Sequence, residues 1–415
     1  MSEPAAFVFA DLREVPHPVG RLWASTARGR ETATFEYDDR WLANPERFSL
    51  EPALTLGPGP YHTAPERALF GALGDSAPDR WGRTLIARAE GRRAAAVKQK
   101  PRALHEIDYL LRVSDFTRQG ALRFALKAES PFVATSAPDQ VPPLVELPHL
   151  LAATERVLTS DDTEKDLRLL LAPGSSLGGA RPKASVRERN GALLIAKFPA
   201  KADVIRAVLW EAVALTLARR SGIQVSEWRL ESVLDVRVLL LQRFDRHGTV
   251  RIPFLSAMSM LGATEHGTRS YVEIAEALRQ HGATVQTDLA ELWRRIVFSV
   301  LISNLDDHLR NHGFLYNGVG GWRLSPAYDL NPVPADLRPR VLSTPIGLDG
   351  DATASLELAM DAAAEFALKP AEARRIVREV RGAVSKWRPL ARSLGLSRSE
   401  LDRMASAFLN TNGGG

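Results

Sequence analysis

The sequence predicts an α+β fold in which an N-terminal α/β subdomain precedes a larger domain of two lobes, the first β-rich and the second helical. Two observations predict this arrangement. Strand-like runs and turn signals dominate the first half of the chain, and helical periodicity dominates the second half. With 415 residues, the chain has room for two or three domains that each bury a core.

A proline-rich stretch, Thr135–Pro148, marks the boundary between the subdomain and the larger domain. Its four prolines forbid a continuous helix: Pro138, Pro142, Pro143 and Pro148. We therefore predict the subdomain at residues 1–135 and the larger domain at 136–410, with the β-rich lobe at about 136–242 and the helical lobe at about 247–410. We expect residues 411–415 to form a flexible tail.

The predicted elements of the subdomain are short. Apolar runs bounded by turn residues predict three strands and one helix: Phe7–Leu12, Gly20–Ala24, Ala33–Tyr37 and the helix Asp79–Ala89.

In the β-rich lobe, a helix at Thr163–Leu171 is predicted to end in a small-residue loop, Pro173–Pro182. Two strands, Lys183–Glu188 and Ala192–Phe198, are joined by Asn190-Gly191, which fits a type I′ hairpin turn because both central positions need a positive φ. A helix and two more strands complete the lobe: Ala202–Arg220, Val225–Leu230 and Val236–Leu241.

The helical lobe is predicted to contain a series of helices interrupted by one hairpin. The helices are Ser270–Gln280, Asp288–Ile302, Ser355–Ala367, Pro370–Arg381 and Arg398–Leu409. The hairpin strands are Gly313–Tyr316 and Gly321–Leu324.

The composition excludes several classes of protein. Without cysteine, the chain has no disulfide, no thiolate metal site and no cysteine nucleophile. No run reaches the roughly 18 apolar residues of a membrane span, and the N-terminus lacks the basic region of a signal peptide, so we expect a cytoplasmic protein with no membrane partner.

The net charge of +5 is weak support for a nucleic-acid partner. Basic residues are concentrated between Arg80 and Arg102, where Glu90 is the single acid. Such a stretch forms a solvated helix face more often than a phosphate-contacting patch, and the sequence does not decide whether it touches DNA.

The most informative segment follows the apolar helix, at Asn304-Leu-Asp-Asp-His-Leu-Arg-Asn311. Four residues separate Asp306 from Asn311, and Asp329 arrives 18 residues after Asn311, beyond the hairpin. One carboxylate can orient a hydroxyl, while an amide oxygen and a second carboxylate can hold Mg²⁺, which prefers oxygen ligands. This is the layout of a protein-kinase catalytic loop.

Two other interpretations of this segment stay open at this point. It fits a helix C-cap followed by a solvated turn. In addition, His308 and His312 are four residues apart and fit a hydrolytic metal site with Asp306 or Asp307 as a further ligand.

The β-rich lobe carries groups that phosphoryl transfer requires. Gly174–Lys183 can present backbone N–H groups to phosphate oxygens, because its glycines allow close approach. Lys197 lies in an apolar strand, where a lysine is unusual without a partner. Glu211, on a largely apolar helix face, is within reach of that strand. The order of these parts is that of a two-lobed kinase.

Four motifs, in order, resemble the HipA-type serine/threonine kinases, the toxin components of type II toxin–antitoxin pairs of bacteria. They are Ser175–Lys183, Leu241–Arg246, Asn304–Phe314 and Leu324–Leu330. Two further segments, Asp79–Arg83 and Val113–Phe124, resemble the N-terminal region of that family.

The resemblance implies a role for each residue that matches a motif. Asp306 would be the catalytic residue, and Asn311 and Asp329 would be the Mg²⁺ ligands. The backbone of Gln242 and Phe244 would meet adenine. The phosphates of ATP would be held by Lys197 and by a loop that comprises Gly178, Gly179, Ala180, Arg181, Pro182 and Lys183.

Two further assignments follow from the same resemblance, and a third, the pairing of Glu211 with Lys197, is inferred from the position of Glu211 on its helix. His308 would be a structural or nucleotide-contacting residue. Ser176 occupies the position at which the family phosphorylates itself, and a phosphate there would repel bound ATP.

The function implied by the resemblance is that of an ATP- and Mg²⁺-dependent serine/threonine protein kinase. It would act as a toxin that inhibits translation by phosphorylating an aminoacyl-tRNA synthetase. A small helix-turn-helix antitoxin would neutralise it and join it on operator DNA. Two alternatives remain: a non-catalytic regulator that binds antitoxin and DNA, and a metal-dependent hydrolase centred on His308 and His312.

Overall fold

A computed structural model of the protein describes residues 3–135, 141–171, 181–201, 203–265 and 267–408. The chain divides into two compact units. The first contains Met1–Lys201 and Glu231–Leu255, and the second contains Ala202–Leu230 and Ser256–Gly415. Sheets and helices are both present, which confirms the predicted α+β class. Within the described ranges, no helix is long and apolar enough to cross a membrane.

The strands are β1 (Ala6–Leu12), β2 (Val15–Ala27), β3 (Arg30–Tyr37), β4 (Pro60–His62), β5 (Leu122–Ala125), β6 (Lys183–Arg187), β7 (Leu193–Lys197), β8 (Trp228–Val233), β9 (Val236–Gln242), β10 (Arg246–His247), β11 (Val250–Arg251), β12 (Phe254–Ser256), β13 (Gly313–Tyr316) and β14 (Trp322–Leu324).

The helices are α1 (Asp39–Leu42), α2 (Gly71–Gly74), α3 (Arg80–Ala96), α4 (Glu106–Arg112), α5 (Leu147–Thr159), α6 (Glu164–Leu171), α7 (Ala207–Arg220), α8 (Ala257–Met260), α9 (Tyr271–His281), α10 (Val285–Ile302), α11 (Leu356–Asp361), α12 (Pro370–Val384), α13 (Trp387–Ser393) and α14 (Arg398–Arg403). Short 3₁₀ turns include Leu309–Asn311 and Ala362–Phe366.

The N-terminal sheet of the first unit has the order β4-β3-β2-β1-β5. Its neighbouring strands pair antiparallel, and a bulge interrupts the β1–β2 register between Val8 and Phe9. Gly20 stands opposite Val8 at this bulge. A Cβ atom on Gly20 would lie 2.3 Å from the carbonyl oxygen of Glu36, so only glycine fits between β1 and β3.

The second sheet of the first unit has the order β6-β7-β9-β8. Alternate residues of its strands, including Val186, Leu194 and Leu240, join an apolar cluster with residues of α3, α5 and α6. Because side chains alternate along a strand, the opposite face carries Lys197 and its cross-strand partner Leu239. Burial of the first face therefore fixes the direction in which Lys197 leaves the sheet.

A buried ion network ties the N-terminal region to the segment after β9. The Arg243 guanidinium donates to both carboxylate oxygens of Asp245, at 2.8 and 2.6 Å, and one of those oxygens also accepts the N–H of Gly120 at 2.8 Å. Burial alone would raise the pKa of Asp245, but the charges of Arg243 and Arg246 hold it below its ordinary value. Two of the sequence motifs, Val113–Phe124 and Leu241–Arg246, are therefore two sides of one contact.

In the second unit, α10 is buried along most of its length, as its apolar run predicted. The helix ends at Ser303, which adopts a left-handed conformation with φ of 51°. Because this conformation stops the helix and turns the chain, residues from Asn304 onward leave the helix as a loop. The predicted hairpin follows, with β13 and β14 paired antiparallel.

Most predicted elements are present with shifted bounds, and two of them differ in an informative way. The helix predicted at Ala202–Arg220 begins at Ala207 in the structure. The strand predicted at Val225–Leu230 instead occupies Trp228–Val233, because Val225 forms an isolated bridge with Ala327. The elements that were not predicted are mostly short: α1, β4, α2, α4, β5, α5, β10, β11, β12, α8 and α13. Helix α5 begins within the proline-rich stretch, since proline is accepted in the first turn of a helix.

Glu51 gives the first unit a pH-dependent stability. Its side chain is buried and accepts the N–H of Ala72 at 2.6 Å, and burial raises its pKa to about 7. The folded state thus binds a proton more tightly than the unfolded state, so stability falls as pH rises from about 4.5 to about 7. Raising the pH from 5 to 8 should lower the free energy of unfolding of the wild type by about 3 kcal/mol more than that of the Glu51→Gln variant.

Urea unfolding of both proteins at the two pH values measures this difference. Glu46→Gln removes an exposed carboxylate nearby and serves as the control. An equal pH dependence in the Glu51→Gln variant and the wild type would contradict the assignment.

Candidate functional site

The predicted catalytic residue, Asp306, lies in the loop after α10 with its side chain 64% exposed. Its Oδ1 atom lies 2.9 Å from Nη1 of Arg338, which is itself 41% exposed. Surface ion pairs of this kind contribute little to stability and exchange readily with other partners. The Asp306 carboxylate is therefore accessible to a hydroxyl substrate.

The neighbouring Asp307 has the opposite environment, with a side chain only 4% exposed. It accepts hydrogen bonds from the hydroxyls of Tyr271 (2.5 Å) and Ser299 (3.0 Å), and Nε2 of His312 lies 3.2 Å from its Oδ1 atom. In the sequence, the four-residue gap to Asn311 selects Asp306 rather than the adjacent Asp307. Asp306 is also the more exposed of the two, and its catalytic role stays a prediction.

Asn311 closes a 3₁₀ turn, Leu309–Asn311, that follows His308. Its Nδ2 atom donates to the backbone carbonyl of Asp306 at 3.0 Å. The donating end of the amide is therefore held by the loop itself, and its oxygen is the end suited to a metal ion. The same contact ties the two ends of the Asp-x-x-x-x-Asn segment together.

Asp329 has a φ of 57°, a left-handed conformation that aspartate adopts more readily than most residues. Nδ2 of Asn331 lies 3.1 Å from its carbonyl oxygen and 3.3 Å from its Oδ1 atom. The backbone N–H of Asn331 donates to Oδ1 of Asn304 at 2.9 Å. The hydroxyl of Tyr328 also donates to the carbonyl of Arg310 at 2.6 Å. The structure thus joins the segments that carry Asp306, Asn311 and Asp329.

The first unit holds the residues predicted to contact the nucleotide. Lys197 is partly exposed at the end of β7. Gln242, the last residue of β9, is exposed, and Phe244 is partly exposed, whereas Arg243 between them is buried. This alternation leaves the predicted adenine-contacting residues on the accessible side. Glu211 is buried on α7 in the second unit, and its pairing with Lys197 stays a prediction.

Only the end of the predicted phosphate loop falls among the described residues. Arg181 is exposed and Pro182 is buried. Lys183 is buried too, and its Nζ atom lies 2.7 Å from Oδ2 of Asp79, with both side chains 4% exposed. Ser176, Gly178, Gly179 and Ala180 lie outside the described residues.

The motif Asp79–Arg83 holds strand β6, which follows the predicted phosphate loop. Asp79 accepts the N–H of Gly82 as the N-cap of α3, and its other oxygen meets Lys183. Nε1 of Trp81 donates to the carbonyl of Lys183 at 3.0 Å. Both the backbone and the side chain of Lys183 are thus fixed by one helix N-terminus.

The two histidines proposed for a hydrolytic metal site have different surroundings. His312 is buried, with its ring edge-on to Tyr271 at 5.3 Å between centroids and near Asp307. His308 is partly exposed, and its buried Nδ1 atom has no hydrogen-bond partner in the described part of the chain. Among all the residues that the structure describes, no group of three or more His, Asp or Glu side chains is arranged to hold a metal ion.

The basic stretch Arg80–Arg102 is largely neutralised by nearby acids. Its ion pairs are Arg83–Glu106, Arg88–Asp162, Arg92–Asp162, Arg93–Glu90 and Arg102–Asp108. Guanidinium groups engaged in this way are less available to phosphates, which favours the solvated helix face over a DNA-contacting patch.

Several residues that shape the site were not found from the sequence. They are Arg338, Tyr271, Ser299, Asn304 and Asn331. Asn331 stands two residues after Asp329, and this spacing could have drawn attention to it. Asn304 begins the segment that carries Asp306, so its position was visible although its role was not. Arg338, Tyr271 and Ser299 lack a local signal, because they meet the loop through folding rather than through sequence proximity.

Two family models match the chain. Residues 15–107 match the HipA N-terminal domain, and residues 175–387 match the HipA-like C-terminal domain. Among curated proteins, "Putative kinase Y4mE" of Sinorhizobium fredii is 26% identical over 336 residues, which cover 74% of each chain. "Putative kinase Y4dM" of the same organism is 32% identical over about a third of each chain.

A solved structure from Shewanella oneidensis MR-1 has the same fold. It is a toxin–antitoxin complex of HipA, HipB and operator DNA, and its matching chain aligns with a TM-score of 0.65 at 14% identity. The alignment covers 97% of the present chain and 94% of that chain.

Replacement of Asp79 by asparagine should destabilise the first unit. Asparagine caps a helix as well as aspartate does, so Asp79→Asn keeps the α3 cap and removes the charge that faces Lys183. Removal of one partner from a buried ion pair costs about 3–5 kcal/mol. Urea unfolding followed by circular dichroism measures this loss.

The surface pair Arg388–Asp402 offers a matched control. Asp402→Asn should change the free energy of unfolding by less than about 1 kcal/mol. Equal effects of Asp79→Asn and Asp402→Asn would refute the structural role of the buried pair.

Proposed function

The chain belongs to the HipA family, and we propose that it is an ATP- and Mg²⁺-dependent serine/threonine protein kinase. One observation supports this proposal above all. An exposed carboxylate, Asp306, shares a loop with the oriented amide of Asn311, and hydrogen bonds join that loop to the segment of Asp329. We also propose that the chain has two domains, an N-terminal subdomain at residues 1–135 and a kinase-like domain at residues 136–410.

The donor set fits the proposed cofactors. The amide of Asn311 is held through its nitrogen, and together with the Asp329 carboxylate it supplies the hard oxygen ligands that Mg²⁺ prefers. The orphaned Nδ1 atom of His308 fits a residue that meets nucleotide. When bound, Mg²⁺ would neutralise charge on the phosphates of ATP. Lys197 and the loop from Gly178 to Lys183 would bind those phosphates.

Asp306 would orient the acceptor hydroxyl and take its proton as the phosphoryl group leaves ADP. Its pair with Arg338 would open to admit the hydroxyl. Gln242 and Phe244 would present backbone groups to adenine. Glu211 would orient Lys197.

We further propose that the phosphorylated protein is a component of translation, an aminoacyl-tRNA synthetase, and that phosphorylation makes the chain a toxin. A helix-turn-helix antitoxin would neutralise it and carry it to operator DNA, as HipB accompanies HipA in the Shewanella complex. We propose the cytoplasm as its location.

Asp306→Ala should reduce phosphoryl transfer by about 10²–10⁴-fold, because it removes the general base. The measurement is transfer of labelled phosphate from ATP and Mg²⁺ to proteins of a cell lysate. Asp402→Ala, which removes an exposed carboxylate from a surface pair, should transfer phosphate at the wild-type rate. Wild-type transfer by Asp306→Ala would exclude the kinase assignment, and growth arrest that survives the substitution would favour a non-catalytic regulator.

Ser176 should carry a phosphate that the protein adds itself. Mass spectrometry of protein incubated with ATP and Mg²⁺ should find phosphoserine at position 176, and the Asp306→Ala protein should lack it. Because a phosphate in this loop would repel ATP, the modified protein should transfer less phosphate. Unchanged self-labelling of Ser176→Ala would rule out this position.

A further inference from the structure

The buried carboxylate of Asp307 has no role in the proposed chemistry, yet three elements converge on it. Tyr271 is the first residue of α9, Ser299 lies in the last turns of α10, and His312 follows the 3₁₀ turn. Tyr271 and Ser299 donate hydrogen bonds to the carboxylate, and His312 approaches it within 3.2 Å. Helix, helix and loop therefore share one anchor.

The anchor is electrostatically satisfied. Burial alone would raise the pKa of Asp307, but His312 and the two hydroxyls lower it below the ordinary value. A buried carboxylate is costly unless it is hydrogen-bonded, so the fold favours the geometry in which these partners are present. With only 4% of its side chain exposed, Asp307 is out of reach of an acceptor hydroxyl.

The anchor adjoins two proposed site residues. Asp307 directly follows Asp306, and His312 directly follows Asn311. The carbonyl of Asp307 also accepts the Thr344 hydroxyl at 2.7 Å. Both ends of the loop are therefore tied to the same buried group.

A second arm extends from the anchor to Asp329. The Ser299 hydroxyl, which donates to Asp307, accepts a hydrogen bond from Nδ2 of Asn304 at 3.2 Å. Oδ1 of Asn304 accepts the N–H of Asn331, and the Asn331 side chain meets Asp329. One continuous set of hydrogen bonds thus runs from Tyr271 through Asp307, Ser299, Asn304 and Asn331 to Asp329.

We propose that the Asp307 anchor and the hydrogen bonds that extend from it to Asp329 position the groups that transfer phosphate. Tyr271, Ser299, Asp307 and His312 hold the loop of Asp306 and Asn311, while Asn304 and Asn331 hold Asp329. All are positioning residues and none meets substrate. The inference rests on the proposed kinase function and adds the residues on which its geometry depends.

Tyr271→Phe tests the contacts that Asp307 makes directly, which are the first arm of the network. It removes one hydroxyl and keeps the ring against His312. A small displacement of a reacting group lowers catalysis far more than it lowers binding, so kcat should fall about 10- to 100-fold, while KM for ATP changes less than about twofold. Tyr37→Phe removes an equally buried hydroxyl from β3, where it donates to Leu54, and should leave kcat unchanged.

Asp307→Asn keeps the size of the side chain and removes its charge. It should lower kcat further than Tyr271→Phe does, yet retain a rate above that of Asp306→Asn. Asp288→Asn is the matched control, since Asp288 is a buried aspartate of the same helix as Ser299 and hydrogen-bonds with Thr284. Comparable thermal unfolding of the Asp307 and Asp288 variants separates a catalytic effect from loss of fold.

Asn331→Ala tests the second arm with a readout that does not require turnover. Outer residues that orient metal ligands typically contribute 10–100-fold to metal affinity. Calorimetric binding of a non-hydrolysable ATP analogue should therefore need about 10-fold more Mg²⁺ in this variant. Asn317→Ala, in the exposed turn of the hairpin, should bind as the wild type does.

Two results would overturn the inference. The first is a Tyr271→Phe protein with the kcat of Tyr37→Phe. The second is an Asn331→Ala protein with the wild-type Mg²⁺ requirement for analogue binding. Loss of the proposed function gives a different pattern, in which the wild type transfers no phosphate at all; the binding experiment then still decides whether the anchor positions Asp329.

Discussion

The burial of charge around Asp245 is the constraint on which the first unit depends. Arg243 and Arg246 lie on either side of it, and their donors also reach backbone carbonyls of Thr117, Arg118 and Gly120. A charge inside a protein is tolerable only when it is paired and hydrogen-bonded. The segment after β9 and the loop before β5 must therefore fold against each other. The Asp79–Lys183 pair is a second buried ion pair of this kind, and it holds the start of β6.

The second unit relies on a different kind of constraint. The loop of Asp306 contains few apolar side chains, so apolar packing alone does not fix it. Its shape comes from the left-handed residue Ser303, from carbonyl groups that accept hydroxyls, and from a carboxylate shared by two helices. Such a loop can be rigid and still expose polar groups, because its hydrogen bonds are made on the inner side.

The sequence was most informative where a pattern is local. Helical spacing located α9, α10 and α12, and Asn190-Gly191 located the turn between β6 and β7. The motif order predicted the family. Long-range pairing could not be inferred in this way: Lys183 is 104 residues from Asp79, and no periodicity connects them. The spacing to Asn311 singled out Asp306, but the buried contacts of Asp307 could not be inferred, because its partners meet it only after folding.

Buried ion pairs join residues before the proline-rich stretch to residues after it, and this limits how such chains can recombine. A recombination crossover in the proline-rich stretch near residue 135 would draw Asp79 and Asp115 from one parent and Lys183 and Arg251 from the other. Where the two parents differ at one of these positions, the chimera would bury a charge without its partner. The two sides of that junction are therefore expected to be inherited together, and exchange between relatives should succeed at surface loops rather than at the most visible boundary in the sequence.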